Sequence, residues 1–421
     1  MKLTLPAIAY LPTLAISAVC TRWRSLTLAS PSLWSHLRLE TAPDRIRTVL
    51  DMQAHCQGGF MSTLQLYLDR SVDTPLMIGL QTTGTLKYSD STPPALNLLL
   101  QHTCRWRTFS YIGDYRLTNC MGLSLSFPIL ENLSLNGLRS TLDCFANAPK
   151  LRAVRTNDLE IHSNFPWTQL TSLDIRPSGG GDIDFLHRCP RLTVLKLQRS
   201  SWLKLGPGSV FLASLESFTF NDFIGQLKTL EDMFYIFTFP SLGELIVCSK
   251  DSFGANRVKW PPDAFSAFIS RSSCTLTTLS LRNITISDVN LIAALRLVPS
   301  LTTFSIDGLM NSSGGSPITS HLLWSLTYHG FDSALLPKLR FLSMKLRRTS
   351  FDDAAFVRMV SSRWMPDHVY AAAIGIACLR SLVLHFAERE VDKGAYRPLF
   401  DLDRKGMRVV IAGTEMKGTK V

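Results

Sequence analysis

Side chains that could carry enzymatic chemistry are sparse in this sequence and form no familiar catalytic pattern. No Gly-x-x-x-x-Gly-Lys phosphate loop, His-Glu-x-x-His zinc motif or Gly-x-Ser-x-Gly nucleophile turn is present. Asp352 and Asp353 could act as paired carboxylates, but beside Ser350 they indicate a helix N-terminus, where acidic side chains are favoured. Gly179–Gly181 lacks the lysine and the helix of a phosphate cradle and is typical of a turn. We therefore expect no enzyme.

Metal and redox chemistry are not indicated either. The nine cysteines form no Cys-x-x-Cys pair, and their odd number does not suggest a disulfide framework. His187 lies close to Cys189, but two ligands do not make a metal site, and a cysteine just before a repeated proline is typical of packing. We expect no metal and no cofactor, and this cysteine usage fits a reducing compartment.

The overall composition favours a folded, heavily buried chain. Hydrophobic residues make up 46% of the 421 positions and charged residues 18%, which argues against disorder. The net charge is +11, yet lysine and arginine are spread along the chain without the run that marks a nucleic-acid patch. Beyond the N-terminus, no stretch approaches the length of a charge-free membrane span. We expect neither nucleic acid nor membrane as a partner.

The N-terminal stretch Leu3–Cys20 leaves two interpretations open. It is apolar, with small residues near its end, and so is similar to a signal peptide. Pro6 and Pro12 interrupt any helix there, and the apolar run continues into a patterned segment. We favour a cytoplasmic or nuclear protein, with secretion as the alternative.

A repeated pattern organises most of the chain, and its clearest copy is Pro190–Leu197, which reads Pro-x-Leu-x-x-Leu-x-Leu. The last apolar positions alternate with variable ones, which predicts a short strand with one buried face. Strands that recur about every twenty residues predict a leucine-rich repeat solenoid, an α/β fold with a curved parallel sheet and helical or irregular return segments. The other copies are Pro128–Leu135, Pro149–Thr156, Leu170–Ile175, Leu215–Phe220, Pro240–Val247, Leu276–Leu281, Pro299–Ile306, Pro337–Met344 and Leu379–Leu384.

The variable strand positions must point away from the core, so they should tile the concave face of such a solenoid. Basic residues fall on consecutive copies of the pattern there, and solenoids bind partners on this face. We predict that this face binds an unidentified protein target. The residues predicted to form the binding surface are Arg155, Arg176, Lys196, Gln198, Asn221 and Arg282.

The flanks of the array predict further elements. Apolar spacing indicates one helix over Leu14–Ala29 with Trp23 in its buried stripe, and Ser30-Pro31 starts a brief second helix. The alternation of His36–Leu39 predicts a strand. After these we expect a helix over Pro43–Gln57 ended by Gly58-Gly59, a strand over Thr63–Leu68, a helix over Asp288–Leu297 and a closing strand over Met407–Ile411. Irregular inserts are predicted at Ser249–Cys274, Met310–Pro337 and Arg347–Ala377.

Several segments in order resemble fungal F-box and leucine-rich repeat proteins of the mushroom type. They are Val19–Arg24 (VCTRWR), Leu28–Trp34 (LASPSLW), Leu66–Ser71 with Pro75-Leu76, and Leu98–His102 with Arg105–Arg107. The resemblance, with the repeats, covers nearly the whole chain. It implies a partial F-box-like helical segment over residues 1–40, followed over 41–421 by the repeats, irregular at first and with long inserts after residue 248.

The resemblance also implies a function, that of the non-enzymatic substrate-recognition subunit of a cullin-type (SCF) ubiquitin ligase. In that family the F-box docks on a Skp-type adaptor, here through Val19, Cys20, Trp23, Leu33 and Trp34, while the repeat face selects a protein target. The family opens with a Leu-Pro-x-Glu helix, and the corresponding Leu5–Pro12 lacks the acidic residue. The alternative is therefore a leucine-rich repeat interaction scaffold with no ubiquitin-ligase link.

Overall fold

A computed structural model describes most of the chain in two compact units, Met1–Leu192 and Thr193–Val421. The described residues are 12–41, 50–82, 94–113, 117, 125–136, 142–157, 164–175, 184–198, 209–222, 229–249, 258–307, 316–330, 334–346, 351–387 and 389–413. Each unit is a mixed α/β structure of parallel strands joined by helical returns, which is a solenoid-like arrangement. In this part of the chain no helix is both long and apolar enough to cross a bilayer.

The first unit begins with two short helices where the sequence predicted one. They are α1 (Pro12–Val19) and α2 (Thr21–Leu28), separated at Cys20, whose extended backbone ends one helix and whose Sγ accepts a hydrogen bond from Trp23 N at 3.5 Å. The predicted buried stripe, formed by Ile16, Val19, Trp23 and Leu26, is wrong at Val19, Trp23 and Leu26, which are exposed. A 3-10 helix follows at Pro31–Trp34, without a side-chain cap from Ser30.

Helix α3 (Leu50–Arg70) corrects two predictions at once. It runs through the glycine pair that was expected to end a helix, and it includes Thr63–Leu68, which was expected to be a strand. Leu64, Tyr67 and Leu68 are all buried, and their spacing of three and four residues is the helical one. Each glycine costs about 1 kcal/mol in a helix, and the packing of this buried stripe outweighs that cost.

The strands of the first unit lie in chain order and are parallel. The predicted strand at His36–Leu39 is confirmed within β1. The strands are β1 (His36–Thr41), β2 (Leu76–Thr82), β3 (Trp106–Gly113), β4 (Asn132–Asn136), β5 (Ala153–Thr156) and β6 (Ser172–Ile175). Returns are helix α4 (Pro94–Leu100) and 3-10 turns at Thr103–Arg105, Leu142–Phe145, Trp167–Gln169 and Asp184–Arg188. Short 3-10 returns suit the tight spacing of these copies.

The second unit has the same organisation with longer helical returns. Its main sheet contains β7 (Val194–Gln198), β9 (Ser217–Asp222), β11 (Glu244–Ser249), β12 (Thr278–Arg282), β13 (Thr303–Asp307), β14 (Phe341–Leu346), β15 (Ser381–Phe386) and β16 (Arg408–Gly413), and β8 (Val210–Phe211) pairs separately with β10 (Phe237–Thr238). The returns are α5 (Thr229–Ile236), α6 (Pro262–Ser272), α7 (Asp288–Arg296), α8 (Ser320–Leu326), α9 (Asp353–Ser362), α10 (His368–Ala373) and α11 (Arg397–Arg404).

These returns revise the picture of irregular inserts. The described parts of all three predicted inserts contain α-helices, namely α6, α8, α9 and α10. The helix expected near Asp288 is confirmed, although Ser287 caps it by accepting from Asn290 N at 3.2 Å. The predicted closing strand is confirmed as β16, and Met407 just before it is fully buried.

The predicted strand register holds throughout the described array. Leu133, Leu173, Leu195 and Leu382 are among the apolar strand residues that are almost fully buried, as the alternation requires. Within the first unit Ser134 pairs with Arg155, which pairs with Asp174. Within the second unit the equivalent positions pair rung by rung through Lys196, Thr219, Ile246, Ser280, Ser305, Ser343 and Val383. The outward prediction is wrong at Ser280, which is buried.

Three arginines tie successive helical returns together in the same way. Each one donates to a carbonyl 37 residues earlier, at the end of the preceding helix: Arg105 to Leu68 O, Arg271 to Phe234 O and Arg363 to Leu326 O. The last carbonyls of a helix have no partner within it, and a cation there also offsets the helix dipole. We call these side chains the arginine clips.

Candidate functional site

The first candidate surface lies on the N-terminal helices and is apolar. Five large hydrophobic side chains between Val19 and Leu33 are exposed by 46% to 68%, a concentration unlike the scattered exposed hydrophobics elsewhere in the described chain. A concentration of exposed apolar side chains in one short segment favours an interaction site. We call this set the N-terminal apolar surface, and it comprises Val19, Trp23, Leu26, Leu28 and Leu33.

Trp34 fixes this surface from beneath. Its side chain is 0% exposed, and its indole Nε1 donates to Thr27 O in α2 at 2.8 Å. The ring packs edge-on against Tyr67 of α3, with centroids 4.9 Å apart, while the Arg70 guanidinium lies 4.5 Å from the ring centroid. An aromatic ring with a satisfied polar atom and a cation above it is a strong anchor between elements.

Two further contacts hold α1 in place. Thr13 Oγ1 donates to Leu33 O at 2.9 Å, and Arg24 Nε of α2 donates to Ser17 O at 3.2 Å. Both bonds are made to main-chain carbonyls, so they set the position of the helices without using the exposed apolar side chains. The N-terminal apolar surface is therefore presented by a braced pair of helices.

The sequence-predicted adaptor residues divide into two groups. Val19, Cys20, Trp23 and Leu33 are exposed and lie on α1, α2 and the 3-10 helix or between them. Trp34 is buried, so its prediction as a contact residue is wrong, and its role is to position the others. Leu26 and Leu28 were missed, because spacing alone assigned Leu26 to a buried stripe.

The predicted basic face is less positive than the sequence implied. In the first unit Arg155 Nε lies 3.3 Å from Asp174 Oδ2 on the neighbouring strand, so its charge is locally offset. Arg176 lies outside the described residues. Such an exposed pair contributes little stability, but it removes the isolated cation that the prediction needed.

In the second unit the predicted residues do not form a continuous basic row. Lys196 is exposed, but its partner on the next strand is Thr219. Gln198 faces Asn221, and Cys248 separates that pair from Arg282. Further along, Lys345 Nζ lies 3.9 Å from Asp307 Oδ2. The row is therefore mixed and largely neutral.

A stronger positive feature, which the strand pattern did not predict, lies at the N-terminal edge of the last strands. Arg340, Arg380 and Arg408 occur at the starts of β14, β15 and β16, and all three are exposed. No described carboxylate lies within ion-pair distance of these three guanidinium groups. For Arg340 and Arg380 the sequence does contain a signal. Each follows the first leucine of its copy of the pattern, Leu339 in Pro337–Met344 and Leu379 in Leu379–Leu384.

Candidate metal ligands are not clustered in the part of the chain that the structure describes. No cluster of three or more His, Cys, Asp or Glu side chains there could hold a metal ion. Asp352 caps α9 by accepting from Ala355 N at 2.9 Å, as its position predicted. His187 is exposed whereas Cys189 is buried, and burial raises the pKa of the Cys189 thiol to about 12. Gly179–Gly181 lies outside the described residues.

Thiol labelling should follow this burial. At pH 8, an alkylating reagent should modify Cys20 and Cys104, which are exposed, far faster than Cys189, because the reactive thiolate is suppressed by the raised pKa of the buried thiol. Peptide mass mapping with and without urea measures this. Equal rates for Cys20 and Cys189 in the folded protein would contradict the described packing.

Comparison with protein-family models and with curated proteins finds no match to this chain.

Proposed function

We propose that this protein is the substrate-recognition subunit of a cullin-type ubiquitin ligase. In this role the N-terminal apolar surface docks on a Skp-type adaptor, and the outward face of the repeat strands binds a protein target. The proposal joins the resemblance of Val19–Trp34 to an F-box with the finding that four of the five residues carried over from that resemblance are exposed.

The observation that carries the proposal is the exposure of the N-terminal apolar surface on a braced support. Full burial of a large apolar side chain contributes about 1.5–3 kcal/mol, so covering each of these half-exposed side chains would contribute roughly half of that. Trp34 and the contacts of Thr13 and Arg24 hold the helices in this arrangement without covering it. A protein partner that buries the surface would recover that energy, and exposed aromatic side chains such as Trp23 are frequent anchors in protein interfaces.

Replacing Trp23 tests this role without disturbing the fold. Because Trp23 is 50% exposed, Trp23→Ala should change the free energy of unfolding by less than about 0.5 kcal/mol, as is usual for surface substitutions. It should weaken capture of the Skp-type adaptor by at least about tenfold, the loss expected for an interface anchor. Binding is measured by calorimetric titration of the purified adaptor into the full chain.

Trp324→Ala is the matched control, since Trp324 is a 61% exposed tryptophan of the second unit. Its affinity for the adaptor should equal that of the wild type. If the folded wild type shows no adaptor binding, the ligase role is wrong and the scaffold alternative is favoured. If Trp23→Ala and Trp324→Ala weaken binding equally, the N-terminal apolar surface is not the docking site.

A further inference from the structure

A cavity at the N-terminal edge of β14 and β15 combines apolar walls with two arginines. Its volume is about 310 Å³. Small and apolar side chains form its wall, and Arg340 and Arg380 line it as well. Met365 and Ala372 are accessible at this lining, whereas Ala371, Ile376 and Cys378 are almost fully buried. A concave site of this size with a few convergent polar groups is the usual form of a binding pocket.

The two arginines occupy neighbouring rungs of the sheet. Arg380 N donates to Arg340 O at 2.7 Å, and Ser381 N donates to the same carbonyl at 3.0 Å. Adjacent parallel strands lie about 4.8 Å apart, so two guanidinium groups start from nearly that separation. Like charges on opposite positions of paired strands are destabilising. Neither guanidinium has a described carboxylate within ion-pair distance, so an anion bound between them would relieve their repulsion.

The cavity wall is built on fixed backbone. Helix α10 is followed, after its cap Ile374, by Gly375, whose φ of +71° is in the left-handed region that glycine adopts without strain. Ile376 N donates to Ala371 O at 3.0 Å, and Ala377 N donates to Pro337 O at 2.7 Å. These bonds connect α10 to the segment before β14 and hold the wall beside the two arginines. The pocket is therefore preformed.

The neighbouring outward surface extends the apolar character. Phe341 is 46% exposed at the start of β14, in register with Ser381 and Arg408 on the next two strands. Arg408 lies one register position beyond Arg340 and Arg380, and beside it the Asp403 carboxylate accepts a hydrogen bond from Val409 N at 2.9 Å. Of these three arginines, Arg340 and Arg380 are the two that line the cavity.

We propose that this cavity binds an acidic peptide segment that carries an apolar side chain, with the carboxylates on Arg340 and Arg380 and the apolar group in the cavity. Guanidinium groups bind carboxylates in paired hydrogen bonds, and apolar walls require an apolar group for complementarity. A nucleic acid would need a longer basic track and would leave the apolar wall unused. That the peptide belongs to a ligase target rests on the proposed function. Binding of the peptide itself does not require the adaptor.

Fluorescence anisotropy with the full chain tests the proposal using three synthetic peptides and one oligonucleotide. The peptides alternate glutamate with leucine, alternate lysine with leucine, or contain glutamate alone. The glutamate–leucine peptide should bind most tightly, with affinity that falls as salt rises, because screening weakens exposed charge pairs. Binding of the single-stranded oligonucleotide with equal or greater affinity would overturn the proposal in favour of a nucleic-acid site.

Variants separate the charge from the cavity. Arg340→Glu with Arg380→Glu should weaken binding of the glutamate–leucine peptide by at least about tenfold. Ala372→Phe, at an exposed position of the cavity wall, should fill the mouth of the cavity. It should lower the affinity for the glutamate–leucine peptide and leave the affinity for the glutamate-only peptide unchanged. Arg358→Glu on α9, an exposed charge reversal elsewhere in the unit, should leave all affinities unchanged.

Three further results would overturn the inference. They are no binding of the glutamate–leucine peptide by the folded wild type, equal affinity for the glutamate-only peptide, and an undiminished affinity in the double arginine variant. Adaptor capture is measured separately, so a failed adaptor titration and a failed peptide titration are distinguishable.

Discussion

Arg363→Ala should lower the free energy of unfolding of the second unit by about 3–5 kcal/mol, which is large for a single substitution. The guanidinium is 0% exposed and donates to Leu326 O at 2.5 Å, to Leu336 O at 3.0 Å and to Leu335 O. Truncation would leave three buried carbonyls without these donors and open a cavity. Urea unfolding monitored by tryptophan fluorescence measures the loss.

The expected loss is large because the Arg363 guanidinium binds only main-chain carbonyls. Among the described residues no carboxylate forms an ion pair with it. Burial lowers the pKa of Arg363 to about 10, so the guanidinium remains charged at neutral pH and its hydrogen bonds are charge-assisted. The carbonyls that it binds belong to the end of α8 and to a turn in which Leu336 has a φ of +56°. A left-handed leucine is strained, and the arginine clip holds the turn in that conformation.

Two variants calibrate this prediction. Arg358→Ala, on the exposed side of α9, should change stability by less than about 0.5 kcal/mol. Arg363→Lys should lose most of the stabilisation, because an ammonium cannot reproduce the planar fork of donors. If Arg363→Ala unfolds at the urea concentration of Arg358→Ala, the clip does not stabilise the fold.

Trp34→Ala should release the N-terminal helices, at a cost of about 3–5 kcal/mol for a buried tryptophan. The variant loses the hydrogen bond to Thr27 O, the edge-on contact with Tyr67 and the cation above the ring. Limited proteolysis should then cut within α1 and α2, which we expect to be protected in the wild type. Mass mapping of the fragments locates the cuts.

Trp23→Ala is the control for that release. It removes a tryptophan from the same pair of helices, but from the exposed side, so its proteolysis pattern should match the wild type. Trp34→Phe should be intermediate, because it retains the aromatic contact and loses the hydrogen bond. A wild-type pattern for Trp34→Ala would show that Trp34 does not anchor the helices.

The strands of the array could be predicted because their signal is local. Two buried leucines around one outward residue, as in Leu195-Lys196-Leu197, specify a half-buried strand, and the pairing of equivalent positions confirms the predicted register. The same alternation at Leu64-Gln65-Leu66 predicted a strand wrongly. There the buried residues Leu64, Tyr67 and Leu68 follow helical spacing, and short apolar runs fit both periods.

The burial of individual tryptophans could not be read from spacing. Trp23 and Trp34 are both large aromatics in short helical segments, and only their surroundings distinguish them. Trp34 meets Tyr67 and Arg70, which are distant in sequence and belong to a helix whose extent was predicted wrongly. An anchor that depends on such a long-range contact has no local pattern.

The positive charge was misplaced for a similar reason. Counting basic residues on consecutive strands selected Arg155, whose partner Asp174 occupies the neighbouring rung. Arg340 and Arg380 lie just before their strands, outside the positions that the outward-face rule considers. Their importance comes from the cavity beside them, and that cavity is formed by α10, which the sequence analysis treated as part of an irregular insert.

Hydrogen–deuterium exchange on the full chain mixed with a purified Skp-type adaptor tests the central proposal most directly. We predict slowed exchange in α1 and α2, between Pro12 and Leu28, with exchange in β14 and β15 unchanged. The same mixture prepared with Trp23→Ala should lose that protection. Unchanged exchange in α1 and α2 at saturating adaptor, or protection confined to the second unit, would contradict the proposed docking surface.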